Sequence, residues 1–394
     1  MALQKELICF DIFLQKIKIY SKLLKNSTYK IVVMKLKLIL GIMLLMLSYS
    51  MQAQAMLEPT QDEKLTEARF EYIRLVKKYI GELYWKKFTD KDFPGTIVYF
   101  TADASYFINP KADMKDKVSK YAILENEYEW NIWKLKMPLD SVQYVMETQF
   151  QFNPKAKSFI NYRTPVLFCT TPEFAQKEKE NINNLQEWVI ALMHELYHQY
   201  QYSNEAILTY VLRLNDEKNW MDMDSLQTFY VSNQPFRDTL KAENELLKQA
   251  VAATSMEEEA KLFTKFLKLR ENRIKDFLKK KKINISIAEN LWEKLEGTSL
   301  MMEELLKENF NQIQPPPYIT ENDAMYNKGF AFNEKEQSEI QFYSELDDKR
   351  FYVGSTGYNM VRLLEKNKVD YKDNFFSYAS LPLQLQLKYF YKIK

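Results

Sequence analysis

The chain of 394 residues holds only two histidines, and they stand four apart with a glutamate between them, in His194-Glu195-Leu196-Tyr197-His198. On an α-helix, residues four apart share a face, so both imidazoles can reach one Zn²⁺ with Glu195 beside them as a base. The surrounding stretch reads as a helix: Leu185, Trp188, Val189, Leu192 and Leu196 recur at three- and four-residue spacing as one apolar stripe. At about 100° per residue the two histidines fall roughly opposite Leu192 and Leu196. A fold for this chain must therefore bury the stripe in a core and turn the histidines toward a cleft.

Composition narrows the chemistry further. The chain is 46% hydrophobic and 14% aromatic, enough for one large domain or two. Seven glycines in all, with no Gly-rich phosphate loop or dinucleotide fingerprint, argue against nucleotide chemistry. Met34-Lys35-Leu36-Lys37, the apolar run Leu38 to Leu47, and Ala53-Gln54-Ala55 have the order of a signal peptide and its cleavage site. The apolar run is too short for a membrane span, which needs about 20 residues. Residues 1–33 read as an upstream extension from a mis-called start, or as an unusually long basic region before the signal. Residues 1–55 hold 8 of the 55 Lys and Arg and 2 of the 53 Asp and Glu, which leaves 47 against 51, or −4, after export. No general basic field remains to suggest a nucleic acid partner. Cys9 leaves with that segment, so the exported protein has Cys169 alone and no internal disulfide. The expected location is periplasmic or secreted, with no stable membrane span after cleavage near Ala55.

The expected fold class is α+β, mainly α. Gln61 to about Lys87 reads as a helix on Leu65, Ala68, Tyr72, Val76 and Tyr79. Pro94-Gly95 breaks the chain, Thr96 to Phe100 is strand-like, and a mixed region runs to about Pro138. Val142 to Phe152 has strand character, and Thr164 to Thr170 is a short apolar strand before the metal-motif helix. Beyond Gln201 the pattern is helical: Asn204 to Leu214, Asp238 to Ala253, and Met256 to Lys280 behind a Ser255/Glu258 capping box. The last two form a helical hairpin between the two halves of a site. The run Lys279 to Lys282 reads as a solvated helix end. Pro315-Pro316-Pro317 reads as a stiff extended linker, and Phe351 to Tyr358 as a lead into a helix through Leu364. Residues 56–394 are expected to form one domain, with an α/β part to 202, a helical part over 203–314 and a C-terminal part over 318–394.

A catalytic zinc takes three protein ligands and keeps one position open. With no third histidine, the third ligand must be Asp, Glu or Cys169. On a helix, Glu289, Glu293, Glu296 and Glu303 fall within about 80° of one another, with Leu291, Leu295, Met302 and Leu306 on the other side. A solvated acidic face would look the same. Gly297 argues against that, because glycine in a helix interior costs about 1 kcal/mol relative to Ala and marks close backbone approach. Close approach beside Glu296 would bring this helix near the metal helix. Glu296 is the favoured ligand and Glu293 the alternative.

At this point a resemblance is visible. A few strands followed by an H-E-x-x-H helix is the order found in zincin peptidases, where an edge strand pairs with extended substrate. H-E-x-x-H with a later Glu296-Gly297, Met301-Met302 and Glu303 resembles the gluzincin metallopeptidases, of thermolysin-like and aminopeptidase N-like type. Trp292 stands four residues before Glu296, one more than the aminopeptidase N-like pattern. Met301 or Met302 stands where Tyr is usual, and the gap from His198 to Glu296 is longer than in that branch. No Gly-Ala-Met-Glu-Asn segment is present, so no exopeptidase preference is implied. The chain is also similar to uncharacterised exported bacterial proteins over His194–Gln201, Glu245–Ala250, residues 270–273, Glu296-Gly297 and Tyr352–Gly357. The resemblance implies an exported Zn²⁺-dependent hydrolase of peptide or protein substrates, with His194, His198 and Glu296 as ligands and Glu195 as general base toward water. A Tyr or Arg must then serve the oxyanion, and Tyr352, which precedes two glycines in the late segment, is the candidate. The competing reading is a non-catalytic zinc-binding or interaction module on a peptidase scaffold.

Overall fold

The structure is a computed structural model that describes residues 60–110, 123–125, 130–135, 146–149, 165–178, 182–215, 221–330, 343–346, 351–377 and 382–393. The expected extension and signal peptide lie outside these residues. The chain divides into two units, Met1–Thr66 and Glu67–Lys394. Of the first, residues 60–66 are described. They hold a reciprocal cap in which the Thr60 hydroxyl accepts from the Glu63 N–H and Glu63 Oε2 accepts from the Thr60 N–H. The helix opened by this cap is α1, Gln61–Leu83. The second unit runs unbroken through the triple proline, where Pro317 opens a short helix rather than continuing an extended linker.

The second unit is α+β and mainly helical. Among the described residues its sheet has six strands: β1 (Ile97–Phe100), β2 (Ser105–Ile108), β3 (Ile123–Glu125), β4 (Asn131–Leu135), β5 (Met146–Gln149) and β6 (Val166–Thr170), in the order β3-β4-β2-β1-β6-β5. β1 and β6 are parallel, whereas β5 runs antiparallel to β6 and forms an edge. All five residues of β6 are buried, as an apolar run with both faces covered requires. β2, β3 and β4 fill what the sequence presented as a mixed region. β2 is buried at every residue, Ser105 included, so no alternation of apolar and polar residues marked it.

The helices of this unit follow in order: α2 (Pro172–Glu178), α3 (Leu185–Tyr202), α4 (Glu205–Asn215), α5 (Met223–Ser232), α6 (Gln234–Ala252), α7 (Met256–Lys281), α8 (Ile285–Asn309), α9 (Pro317–Asn322), α10 (Tyr352–Lys366), α11 (Lys372–Ser377) and α12 (Leu383–Phe390). No helix among the described residues is long and apolar enough to cross a membrane. α3 carries the metal motif. Asn184 caps it by accepting from the Glu187 N–H, and the Trp188 indole donates to the Thr170 carbonyl at the end of β6. Gln199 joins it to the sheet: its amide donates to the carbonyls of Thr96 and Pro165, and its oxygen accepts from the Thr96 N–H. Gly95 makes this approach possible. It turns at φ +71°, and a Cβ there would sit 3.1 Å from Leu196 Cδ1 and 3.2 Å from Gln199 Oε1.

Gly297 does mark a close approach, but to a different neighbour from the one expected. A Cβ at Gly297 would lie 2.6 Å from the Gly357 carbonyl oxygen, and one at Gly357 would lie 2.7 Å from the Glu293 Cα. The two glycines therefore let α8 and α10 touch backbone to backbone, and the metal helix is not involved. Tyr352 to Tyr358 is accordingly the first two turns of α10 and not a lead-in. Gly297→Ala should force the two helices apart and destabilise the protein by about 1–3 kcal/mol, despite alanine's better helix propensity. Urea denaturation would measure this, and an unchanged or raised midpoint would contradict the packing described.

Candidate metal centre

His194 and His198 lie on one face of α3, and Glu296 reaches them from α8. Their Nε2 atoms are 2.9 Å apart, and the Glu296 carboxylate oxygens lie 3.4 Å from His198 Nε2 and 3.7 Å from His194 Nε2. One donor atom from each of the three falls within 4.8 Å of the others, the one grouping of this kind among the described residues. Tetrahedral Zn²⁺ with bonds of 2.0–2.1 Å would separate its ligand atoms by roughly 3.3 Å, close to the 2.9 Å between the two Nε2 atoms and the 3.4 Å from His198 Nε2 to Glu296 Oε1, while the 3.7 Å contact of His194 Nε2 is to the other oxygen. The side chains of His194, His198 and Glu296 keep 15%, 8% and 16% of their surface exposed, so the centre faces solvent on one side. An open side is what a catalytic metal needs and a structural one does not.

The outer nitrogen of each ring lies against an oxygen acceptor. His198 Nδ1 lies 2.8 Å from Gln201 Oε1, and the Gln201 amide nitrogen donates to the Leu295 carbonyl and the Thr298 hydroxyl. A carbonyl only accepts, so the amide is fixed in orientation and its oxygen must receive a proton from His198 Nδ1. His194 Nδ1 lies 2.5 Å from Glu303 Oε1, an ion-pair contact out of line for a hydrogen bond, so the carboxylate favours a proton on Nδ1 through its charge. In the neutral rings both Nε2 atoms then carry lone pairs, and these face each other and a carboxylate. Three electron-pair donors meet with no donor group between them, an arrangement that calls for a cation. Burial works against charging the rings, yet the carboxylates of Glu303 and Glu296 hold His194 well above its ordinary pKa, and Glu296 raises His198. Burial alone would push the Glu296 carboxyl up, but His198 and His194 hold it well below the usual range.

The other predicted residues fall in different places. Glu195, half-buried, points from α3 toward β5, where its Oε2 accepts from the Thr148 N–H at 3.0 Å. Glu293 is turned away from the histidines. Arg270 grips it with two bonds of 2.6 and 2.8 Å, and the Thr356 hydroxyl donates to it at 2.7 Å. The Tyr352 expectation is corrected: its hydroxyl donates to Glu289 at 2.7 Å, two turns back along α8 from Glu296, and its ring packs with Tyr230, Phe236 and Phe277. A tyrosine so placed is buried core. Cys169 is buried in β6, where burial pushes its thiol up and away from the thiolate a metal would need.

Four residues around the centre carried no assigned role in the sequence reading. Gln201 sits three residues beyond His198, one turn away, a spacing that could have singled it out. Glu303 stood on the acidic face with Glu296, and seven residues is two helical turns, but nothing told a ligand from a ligand's partner. Tyr202 continues the row of His194 and His198 at four-residue spacing, with its ring 6.2 Å from that of His198. Thr148 had no signal, because its contact is made across 47 residues by tertiary structure. Comparison with protein-family models, curated proteins and solved structures gives no match for this chain.

Glu303 is itself held, since the Tyr343 hydroxyl donates to its Oε2 at 2.5 Å and Lys307 donates to that hydroxyl at 2.7 Å. Glu303→Gln should weaken Zn²⁺ binding by about 10- to 100-fold at pH 8, as expected when a histidine ligand loses its carboxylate partner. It should also move the pH below which binding fails downward, because His194 then holds its competing proton less tightly. Calorimetric titration with Zn²⁺ at several pH values would measure both. Wild-type affinity in the variant would remove Glu303 from this role.

Proposed function

We propose that the chain is an exported zinc-dependent metallopeptidase of gluzincin type, built on a zincin-like fold. The observation that carries this reading is the meeting of His194 Nε2, His198 Nε2 and Glu296, with an acceptor oxygen against each outer ring nitrogen. Support for the fold comes from a small sheet whose antiparallel edge strand β5 runs beside α3, with the third ligand on a later helix. Bound at these residues, Zn²⁺ would supply Lewis acidity enough to bring a water's pKa to about 7 and to polarise a carbonyl.

The chain's own groups would divide the remaining work. His194, His198 and Glu296 bind the ion, and Gln201 and Glu303 orient the rings. Glu195 takes the proton of the attacking water and returns it to the leaving nitrogen of a peptide bond. Tyr202, in the same row as the histidines, takes the place intended for Tyr352 as donor to the developing oxyanion. Its hydroxyl is buried, and the charges of Glu296 and Glu195 add to burial in holding its pKa up, so it stays protonated and able to donate.

Metal analysis beside cleavage of a mixed peptide library tests the reading. Glu296→Ala should lose zinc. Glu195→Gln should keep zinc and lose hydrolysis by roughly 10²-fold or more. Wild-type protein that binds zinc and cleaves nothing would point to a non-catalytic zinc-binding or interaction module instead. Export has its own test: N-terminal sequencing of protein released from a native-like host should find a start near Met56, and a mature chain beginning at Met1 would refute it.

A further inference from the structure

Thr148 makes two hydrogen bonds to one residue. Its N–H donates to Glu195 Oε2 at 3.0 Å, and its hydroxyl donates to the Glu195 peptide carbonyl at 2.5 Å. β5 pairs with β6 on one side and, among the described strands, with nothing on the other. Along an antiparallel strand the backbone groups point alternately toward and away from the partner, so the Thr148 N–H is one of those pointing off the sheet. It meets the carboxylate there. A helix carbonyl has two lone pairs, so the hydroxyl can use one while the helix uses the other. One bond thus fixes where the Glu195 backbone stands relative to the strand, and the other fixes the far end of a side chain with three rotatable bonds.

We infer that Thr148 is the positioning residue of the base: its amide engages Oε2 and leaves Oε1 as the oxygen that receives the proton. The inference rests on the hydrolytic reading above. A backbone N–H can only donate, so it orients the carboxylate without competing for the proton it must take. A glutamate free to rotate would present its basic oxygen to the reacting water for only part of the time, and holding such a group in its reactive geometry is worth rate rather than affinity. The edge position matters too, because an interior strand would have spent this N–H on the ladder.

The test combines variants with a readout independent of turnover. Thr148→Pro removes the N–H together with the hydroxyl, at an edge position where proline is tolerated, since the lost N–H points away from β6, and comparison with Thr148→Val isolates the N–H. Thr148→Val removes only the hydroxyl and keeps the branched shape, and Thr148→Ser keeps both donors. On one fluorogenic peptide, Thr148→Pro should lower kcat on the order of tenfold, with KM and zinc content close to wild type. Thr148→Val should lose less, and Thr148→Ser should be near wild type. In a Glu195→Gln background Thr148→Pro should cost nothing further, because the group it positions is gone. Independently, the Thr148 amide proton of the metal-free protein, followed by NMR after threonine labelling, should exchange faster with solvent in Glu195→Ala. A raised KM at unchanged kcat, an equal loss in the Glu195→Gln background, or unchanged exchange would overturn the inference. If Thr148→Pro does not fold, the exchange comparison decides alone. Hydrolysis undiminished in Glu195→Gln would instead fail the functional reading, while amide exchange still reports on the contact itself.

Discussion

The buried amide of Gln201 can be satisfied in one orientation only, and the geometry of the site follows from it. Its nitrogen must face the Leu295 carbonyl, so its oxygen must face His198. With that single choice α3 is fastened to α8, His198 is fixed in the tautomer that frees Nε2, and the helix carrying Glu296 is set in register with the helix carrying the histidines. Two residues earlier, Gln199 does the same toward the sheet, bonding to Thr96 and Pro165. At 100° per residue the two glutamines point to nearly opposite sides of α3. The metal helix is thus fastened on both flanks by fully buried amides whose partners are all present, the condition under which buried polar groups specify one arrangement.

α8 carries a comparable set of constraints. One of its faces presents Glu296 and Glu303 to the histidines. Earlier on the same arc, one to two turns before Glu296, Glu289 and Glu293 meet Arg270 and Arg273 of α7, with Glu243 of α6 completing the group. Gly297 meets α10 backbone to backbone. The arginine cluster sets two guanidinium groups against three carboxylates, all of them buried. One carboxylate is in excess, and burial pushes the Glu293 carboxyl up despite the pull of Arg270, while Arg273 and Arg270 hold Glu289 down against the same burial. Such a cluster gains little net energy over an apolar core, but it is costly to break, so it resists any rotation of α8 that would swing Glu296 away.

The metal motif could be read from the sequence because it is local: four residues of helix determine whether two imidazoles share a face. Glu296 was singled out through Gly297, whose closeness to another backbone was correctly inferred but whose neighbour was not, so the glycine does not account for its meeting with the histidines. Nothing in the chain tells Gly297 that its partner is Gly357, 60 residues on. Glu293 and Glu296 looked alike as glutamates on one acidic arc, and only the arrival of Arg270 from α7 separates them. Tyr352 was drawn to the site by the glycines after it, which serve helix packing. β2 to β4 escaped notice because strands this short carry little pattern, and β2, buried throughout, has no exposed face to alternate with. Local periodicity is written in the chain, whereas pairings between distant segments follow from the packed whole.

The long gap between His198 and Glu296 takes on a physical sense in this light. It contains α4 to α7, and from that stretch come Glu243, Arg270 and Arg273. The two arginines are what allow Glu289 and Glu293 to be buried at all, since a carboxylate in an apolar interior without a partner costs several kcal/mol. A shorter connection would deliver Glu296 to the histidines but leave Glu289 and Glu293, on the preceding turns of the same arc, with unmatched charge or exposed to water. The hairpin of α6 and α7 therefore acts as a brace for the helix that carries Glu296. It holds α8 at Glu289 and Glu293, one to two turns before Glu296 on the same arc, while Gln201 holds it at Leu295 and Thr298.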